Sequence, residues 1–417
     1  MGSGPRAERE RVTTATRGTT AAAVLAALDG SDAVAVRDRD TTLIGVDPVE
    51  TVVASGDGAL AMLARLRPGW WAGFLSYDLG RTIERVVPRT APTSLPDLVL
   101  ARFDARLALD PSGGMRLEGD PHSAAAARLR AAYTAAPESR PHVHPDLGSW
   151  RSSLTRPEFA ERVRAIGDLL AAGECYQVNL TRQLVCDTPA DPIALFATLA
   201  TQNPAPYGAL VRLAGTSVVS ASPECFLRWD GPVVETRPIK GTATNASVLA
   251  ASDKDHAENV MIVDLARNDL GRVSVPGSVV VPDLFHVEEH PGLFHLVSTV
   301  RGRLRAGIGP GELLRATFPP ASVTGAPKPR VLQAIEDLEP VRRGVYCGTL
   351  GWIDTERDAG DLAVAIRTFT ITGDGAGAGR TTLGVGAGIV ADSDPYEEWA
   401  ETELKAARLL RAAGAHP

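Results

Sequence analysis

"TSVVSASPECFLRWDGPVVETRPIKG", residues 216–241, reads as three extended segments, broken first at Ser222-Pro223 and again at Asp230-Gly231. β-Branched and aromatic residues fill the segments, proline cannot donate to a ladder, and Asp-Gly favours a two-residue hairpin turn. Strands joined by so short a turn run antiparallel. Glu224 follows the proline break and Lys240 closes the stretch, so the hairpin brings both to the same end. There they can form an acid–amine pair in which desolvation lowers the lysine pKa towards a nucleophilic state. A surface turn acid and a solvated strand-end charge are equally ordinary readings of the two.

Outward from this hairpin the same signals recur. "DAVAVRD", "TTLIGV" and "LVLARFDARLAL" are strand-like, an Ala/Leu helix is expected near 58–66, and "PSGGMRLEGD" has hairpin-turn chemistry. "TRPE" (155–158) is a capping box with proline in the first turn; Phe159, Val163, Ile166 and Leu170 then follow at helical spacing, and Gly173 ends the helix. In "CYQVNL" (175–180), Tyr176, Val178 and Leu180 share one strand face and Gln177 and Asn179 the other, which suits a sheet covering a polar cavity. Residues 361–390 form a second long hairpin with a glycine-rich tip, and helices are expected at 255–270, 328–337 and 395–412. Many antiparallel strands with long helices inserted predict an α+β fold of stacked antiparallel sheets with outer helices. We read residues 1–20 as a disordered leader, 21–150 as the N-terminal part of the fold with a linker, and 151–417 as the catalytic core.

Composition narrows the function. With 43 Lys+Arg against 50 Asp+Glu, the net charge of −7 provides no bulk basic surface for nucleic acid. No apolar run approaches the roughly 20 residues of a spanning helix, and the polar start lacks a secretory h-region. The four cysteines form no C-x-x-C, which argues against a zinc site or a disulfide framework. These features predict a cytoplasmic protein.

Single residues stay ambiguous at this level. "GVGAGIV" (384–390) echoes a dinucleotide loop, but its glycines run into Ile389-Val390 rather than opening a helix, so they read as a strand that a ligand or backbone approaches closely. Glu398 and Glu401 share a helix face, where Glu401 can pair with Lys405; Asp255 and Glu258 fit a capping box. Two helix-borne carboxylates from distant segments would equally suit Mg²⁺. His295 lies among apolar residues, as a packed histidine does. Arg367, in the apolar "LAVAIRTFTI", needs an anion, either a buried protein carboxylate or a substrate carboxylate.

Together the segments carry a resemblance. "GECYQVNLTR" (173–182), "SASPECF" (220–226), "ETRPIKGT" (235–242), "AENVMIVDLARNDLGRV" (257–273), "HLVSTV" (295–300), "FPPASVTGAPK" (318–328), "YCGTLGW" (346–352), "AIRTF" (365–369) and "GAGIVADSDPYEEWAETELKA" (386–406) occur in this order. The chain resembles the chorismate-utilising enzymes, which include anthranilate synthase component I, aminodeoxychorismate synthase component I, and the isochorismate and salicylate synthases. The match spans roughly 155–410, with weaker support from "WWAGFLSYDLG" (70–80).

The resemblance implies that Glu258 and Glu401 bind Mg²⁺, with Glu398 beside them through water. It implies substrate contacts from Arg367 and Tyr346, and from the backbone of Gly386, Ala387 and Gly388. Thr242 and Lys328 would be further anion contacts, and Gly241, Thr324 and Gln177 would also line the substrate. Glu224 would protonate the departing 4-hydroxyl, and His295 would stand near the ring. Gln177 occupies the place of a water-activating lysine in the isochorismate and salicylate synthases, which favours ammonia as nucleophile. Lys240 stands where anthranilate synthases usually carry alanine. The implied reaction is therefore attack of the lysine on C2, then of ammonia on C4, giving 4-amino-4-deoxychorismate. Alternatives within the family are anthranilate and 2-amino-2-deoxyisochorismate synthesis; outside it, a silent ligand-binding subunit. No cysteine sits in a nucleophile-elbow setting, so the resemblance implies ammonia from solution or from a separate glutamine amidotransferase subunit docking on the surface. The implied product serves 4-aminobenzoate and folate or a secondary metabolite.

Overall fold

At Ser222-Pro223 the chain leaves one sheet and enters another. A computed structural model describes residues 19–28, 30–136, 145–243, 245–290, 293–373 and 379–415, with backbone only at Thr242, Asp253, Lys254 and His290. Residues 1–18 of the expected leader, 137–144 of the expected linker and the hairpin tip 374–378 lie outside this description. The strand Thr216–Ser222 belongs to an eleven-stranded sheet and Cys225–Asp230 to a ten-stranded one, and every recorded strand pair in both is antiparallel. Cys225–Asp230 turns at Gly231 into Val233–Arg237 as the hairpin pattern predicts, with Cys225 opposite Arg237.

Apolar residues facing inward from both sheets, among them Val34, Phe74, Val99, Val211 and Trp352, fuse the two layers. Side chains of this size contribute about 1.5–3 kcal/mol each on burial. Helices cover the outer faces: Pro192–Gln202 and Pro395–Ala412 lie on the larger sheet, and Asp253–Gly271 on the strand Leu293–Arg303 of the smaller. Strands from before residue 150 pair directly with later ones. Ala33–Asp38 joins Tyr207–Leu213, and Trp70–Leu75 joins Thr349–Asp354, so both sheets are built from the two parts of the chain.

Three local expectations need correction. Tyr176 precedes the strand Gln177–Cys186 and is 73% exposed, whereas Val178 and Leu180 are fully buried. Arg367 does not lie inside a strand: it sits between Ala359–Val364 of the smaller sheet and Thr368–Thr372 of the larger, with φ +51°. A non-glycine residue in that left-handed region costs roughly 1–2 kcal/mol, which the surrounding crossing must hold in place. Finally, the helix Asp253–Gly271 is capped by Ser252, whose side chain accepts from the Asp255 N–H. Glu258 is therefore an interior helix residue, and capping no longer accounts for it. The other expected helices stand close to their bounds, at Lys328–Leu338 and Pro395–Ala412.

Candidate active site

Two adjacent sheet-to-sheet crossings create the site. The crossing at 222–225 is stitched to the crossing at 364–368: the Ser222 hydroxyl donates to the Val364 carbonyl at 2.6 Å, the Val364 N–H to the Glu224 carbonyl, and the Ala221 N–H to the Arg367 carbonyl. Neither chain can run straight on within one ladder here, so Glu224 and Arg367 emerge at neighbouring positions. Burial holds Glu224, only 4% exposed, with its carboxyl pushed up to about 7. The Ser322 hydroxyl, Lys240, the Ile239 N–H and Arg367 all favour its ionised form, yet do not overcome desolvation.

Pro238 interrupts the hairpin, and Ile239–Ala243 continues as a strand against Leu293–Arg303. This turns Lys240 towards Glu224. Its side chain is 13% exposed, with Nζ 3.9 Å from Glu258 Oε2. Burial lowers the lysine pKa, as does the nearby charge of Lys405; Glu258, Glu224 and Glu401 oppose the shift. Acid and amine are thus driven towards one another in proton affinity. Both shifts lower the cost of passing a proton from the amine to the carboxyl, relative to the same groups in water.

The wall opposite is the strand pair Gln177–Cys186 and Arg380–Ile389. The glycines of "GVGAGIV" lie in this ladder, which excludes the helix-opening dinucleotide loop. A Cβ on Gly388 would sit 2.3 Å from Gln177 Nε2 and 3.6 Å from Lys240 Nζ, so the bare backbone here leaves room for both side chains. Gln177 is 1% exposed, and neither of its amide atoms has a hydrogen-bond partner among the described residues. An unpaired buried amide costs about 1–3 kcal/mol, and orphan atoms beside a buried lysine point to a ligand that satisfies them. The Arg367 guanidinium is likewise without a hydrogen-bonded partner among the described residues, and burial lowers its pKa. Of its two expected anions, the protein supplies only the nearby charge of Glu224.

The structure separates the remaining expected residues. Tyr346 packs its ring on Gly384, where a Cβ would fall 2.1 Å from the ring, and burial raises its phenol pKa. Ala387 is fully buried in the core, leaving only its backbone for a ligand, while Gly386 is already pressed against the Leu180 carbonyl. Gly241, at φ +83°, faces Asp255, which would lie 2.9 Å from an added Cβ, so helix packing by itself requires glycine there. Thr242 lies opposite His295, which is buried in the next strand; the groups acting most strongly on Lys240 and Glu224 do not include this histidine. Thr324 is fully buried, donates to the Pro320 carbonyl at 2.9 Å and accepts from the Asn179 N–H. Lys328, expected as an anion contact, is held instead by Asp269 Oδ2 and the Thr317 carbonyl, each at 2.6 Å. A buried ammonium with two such partners is a structural tie.

Glu258 and Glu401, from helices far apart in sequence, both act on Lys240. Glu401 also pairs with Lys405 Nζ at 2.6 Å, and that ammonium donates to the Gly386 carbonyl at 3.0 Å. Glu398 accepts from the Ser393 hydroxyl at 2.6 Å. Among the described residues no three His, Cys, Asp or Glu side chains are grouped to hold a metal. Glu258 and Glu401, whose charges both reach Lys240, are of the donor type that fits Mg²⁺, which takes one or two carboxylates and completes its shell with water and substrate oxygens.

Two residues of the site went unrecognised in the sequence. Lys405 counted only as a helix-surface partner for Glu401. Ser322 gave no signal, because only folding brings the "PPASV" turn against Glu224. Between Ser322 and Glu224 lies a cavity of about 20 Å³, bordered also by Thr236, Pro238 and Asp269, with room for one water-sized molecule.

The family model described as chorismate binding enzyme matches residues 10–411. Aminodeoxychorismate synthase component 1 of Salmonella typhimurium is 40% identical over 350 residues, covering 81% of this chain and 75% of that protein. An anthranilate synthase component 1 of Haloarcula marismortui is 36% identical over 372 residues, covering 82% and 75%. Among solved structures, anthranilate synthase component I from Streptococcus pneumoniae superposes with a TM-score of 0.75 at 26% identity, over 89% of this chain and 92% of that one.

Proposed function

Since the chain belongs to the chorismate-binding enzyme family, we propose that it aminates chorismate at C4, yielding 4-amino-4-deoxychorismate. The observation that carries this reading is the Lys240 amine, buried 3.9 Å from Glu258 and within the field of Glu224, with its pKa lowered by burial. Relatives named aminodeoxychorismate synthase component 1 support it at about 40% identity.

In the proposed reaction Lys240, relieved of a proton by Glu224, attacks C2. The ring double bonds shift, the C4–O bond breaks, and Glu224 returns the proton to the leaving oxygen, which departs as water. Ammonia then adds at C4, the double bonds shift back, and the C2–N bond to Lys240 breaks. Glu224 takes the proton that ammonia sheds, which resets the pair. Splitting one displacement into two allylic ones is the gain of covalent catalysis. Arg367 would take a substrate carboxylate. The Gln177 amide would pair with substrate polar atoms and, being no base, would leave water unactivated at C2.

Glu258 and Glu401, with Glu398 at one remove, would hold Mg²⁺; when bound, it would neutralise substrate carboxylate charge. Ammonia would come from a separate glutamine-hydrolysing subunit, in keeping with the "component 1" names of the relatives. The product would serve 4-aminobenzoate and folate formation or a secondary metabolite. Anthranilate synthesis is the second reading, motivated by the relative and the solved structure of that name.

The deciding experiment incubates the protein with chorismate, Mg²⁺ and ammonium. The expected product is 4-amino-4-deoxychorismate, and anthranilate or isochorismate as sole product would overturn the reading. Lys240→Ala is expected to abolish 4-amination, and intact-protein mass spectrometry to find a C2 adduct on the wild type alone.

A further inference from the structure

The helix Pro395–Ala412, which carries Glu398 and Glu401, packs on the strand Arg380–Ile389 and is gripped from two flanks. On one, Lys405 donates to the Gly386 carbonyl at 3.0 Å while pairing with Glu401. On the other stands Arg182, opposite Val385 in the strand that begins at Gln177. Its guanidinium lies 4.1 Å from the centre of the Trp399 ring, and its Nε donates to the Thr402 hydroxyl at 3.0 Å. Its terminal nitrogens reach Glu403 and, at 3.1 Å, the Ser152 hydroxyl. The Thr402 hydroxyl donates onward to the Trp399 carbonyl at 2.8 Å, so three residues of one helical turn are bound together. Arg182 is 3% exposed and Thr402 fully buried. Apolar residues often replace a buried ion pair without loss of stability, so stability alone does not call for a cation here. What a planar guanidinium adds is direction.

We propose that Arg182 is a positioning residue for the cation carboxylates: by locking the first turns of Pro395–Ala412 to the strand that begins at Gln177, it sets where Glu401 stands relative to Glu258. This inference rests on the Mg²⁺ role proposed for those two glutamates. At roughly 100° per residue, Trp399 and Glu403 lie about 200° round the helix from Glu401. Held there by Arg182 and on the Glu401 side by Lys405, the helix neither rolls nor slides on the sheet. Mg²⁺ demands near-ideal octahedral geometry, so its affinity answers to small shifts of a ligand. Loss of a group that orients a metal ligand costs roughly 10–100-fold in affinity.

The test titrates Mn²⁺, a paramagnetic substitute for Mg²⁺, into the resting protein without chorismate or ammonium, and reads free Mn²⁺ by electron paramagnetic resonance. Arg182→Lys keeps the charge and loses the planar fork. Thr402→Val is nearly isosteric and removes the hydroxyl, and it decides the matter if Arg182→Lys fails to fold. Thr402→Ser keeps the hydroxyl. The Kd for Mn²⁺ is expected to rise about tenfold in Arg182→Lys and Thr402→Val, and to stay within about twofold of the wild type in Thr402→Ser. In amination assays the Mg²⁺ concentration for half-maximal rate should rise by the same factor, and saturating Mg²⁺ should restore kcat. A role in stability alone would lower Tm and leave the Mn²⁺ titration of the folded protein in place. Wild-type affinity in Thr402→Val overturns the proposal, as does an affinity loss that Thr402→Ser fails to restore. If the wild type binds no Mn²⁺, or if Glu258→Gln and Glu401→Gln bind it as tightly as the wild type, the metal assignment itself falls and takes this inference with it.

Discussion

Gly388→Ala probes the crowding on which the site depends. The new methyl group would lie 2.3 Å from Gln177 Nε2 and 3.6 Å from Lys240 Nζ. Gln177 must therefore retreat by about 1 Å to reach ordinary contact. The neighbour that gives way is the end of a flexible side chain, so the fold should lose no more than about 1 kcal/mol, or a few degrees in Tm. Activity is far more exposed to the change. A displacement of about 1 Å in a group that meets the substrate costs on the order of 100-fold, so kcat/KM for chorismate should fall by that factor. Gly386→Ala serves as the contrast: its methyl group would stand 2.7 Å from the Leu180 backbone carbonyl, which cannot rotate away. That variant should lose stability as well as activity. Thermal melts alongside amination assays at saturating ammonium read both quantities. Wild-type kcat/KM in Gly388→Ala would refute the placement of Gln177 and Lys240 around a substrate at this wall.

Four other outcomes are expected. Glu224→Gln should fold normally and lose 10²–10⁴-fold in adduct formation, measured by rapid quench and mass spectrometry. In the wild type, kcat should be bell-shaped in pH, rising as the Lys240–Glu224 pair gives up its second proton and falling as it gives up the one that Lys240 passes to Glu224; a profile with no alkaline fall would contradict that role. Lys328→Met should destabilise the protein by about 3–5 kcal/mol, since it leaves buried Asp269 without its cation; an unaltered denaturation midpoint with a raised KM for chorismate would instead make Lys328 a substrate contact. Glu258→Gln and Glu401→Gln should each raise the Mg²⁺ concentration for half-maximal amination by at least tenfold, and an unchanged titration in both would remove them from the metal.

Much of this protein was legible in its sequence, because local chemistry fixes local structure. Pro223, Asp230-Gly231 and the alternating strands dictate an antiparallel hairpin. "TRPE" caps its helix, and the continuation "IV" keeps the glycines of "GVGAGIV" in a ladder. The hairpin brings Glu224 and Lys240 to the same end, although the break at Pro238 and pairing with Leu293–Arg303 complete their approach. What lay beyond the sequence were relations between segments that share no local pattern. Arg367 read as a strand residue because nothing in "LAVAIRTFTI" marks the change of sheet. Lys328 was expected to contact a substrate anion because its partner Asp269 sits on another helix, out of local view. Ser322 was silent because a serine in a turn acquires meaning only from what packs on it. The amide of Gln177 was visible as a polar strand face, but its lack of a hydrogen-bond partner among the described residues emerged only from the folded wall of the site. Sequence thus determined the strands, turns and caps, which are short-range. Tertiary structure decided which buried charges are satisfied from within and which groups are left for a ligand, because desolvation depends on every segment that closes over them.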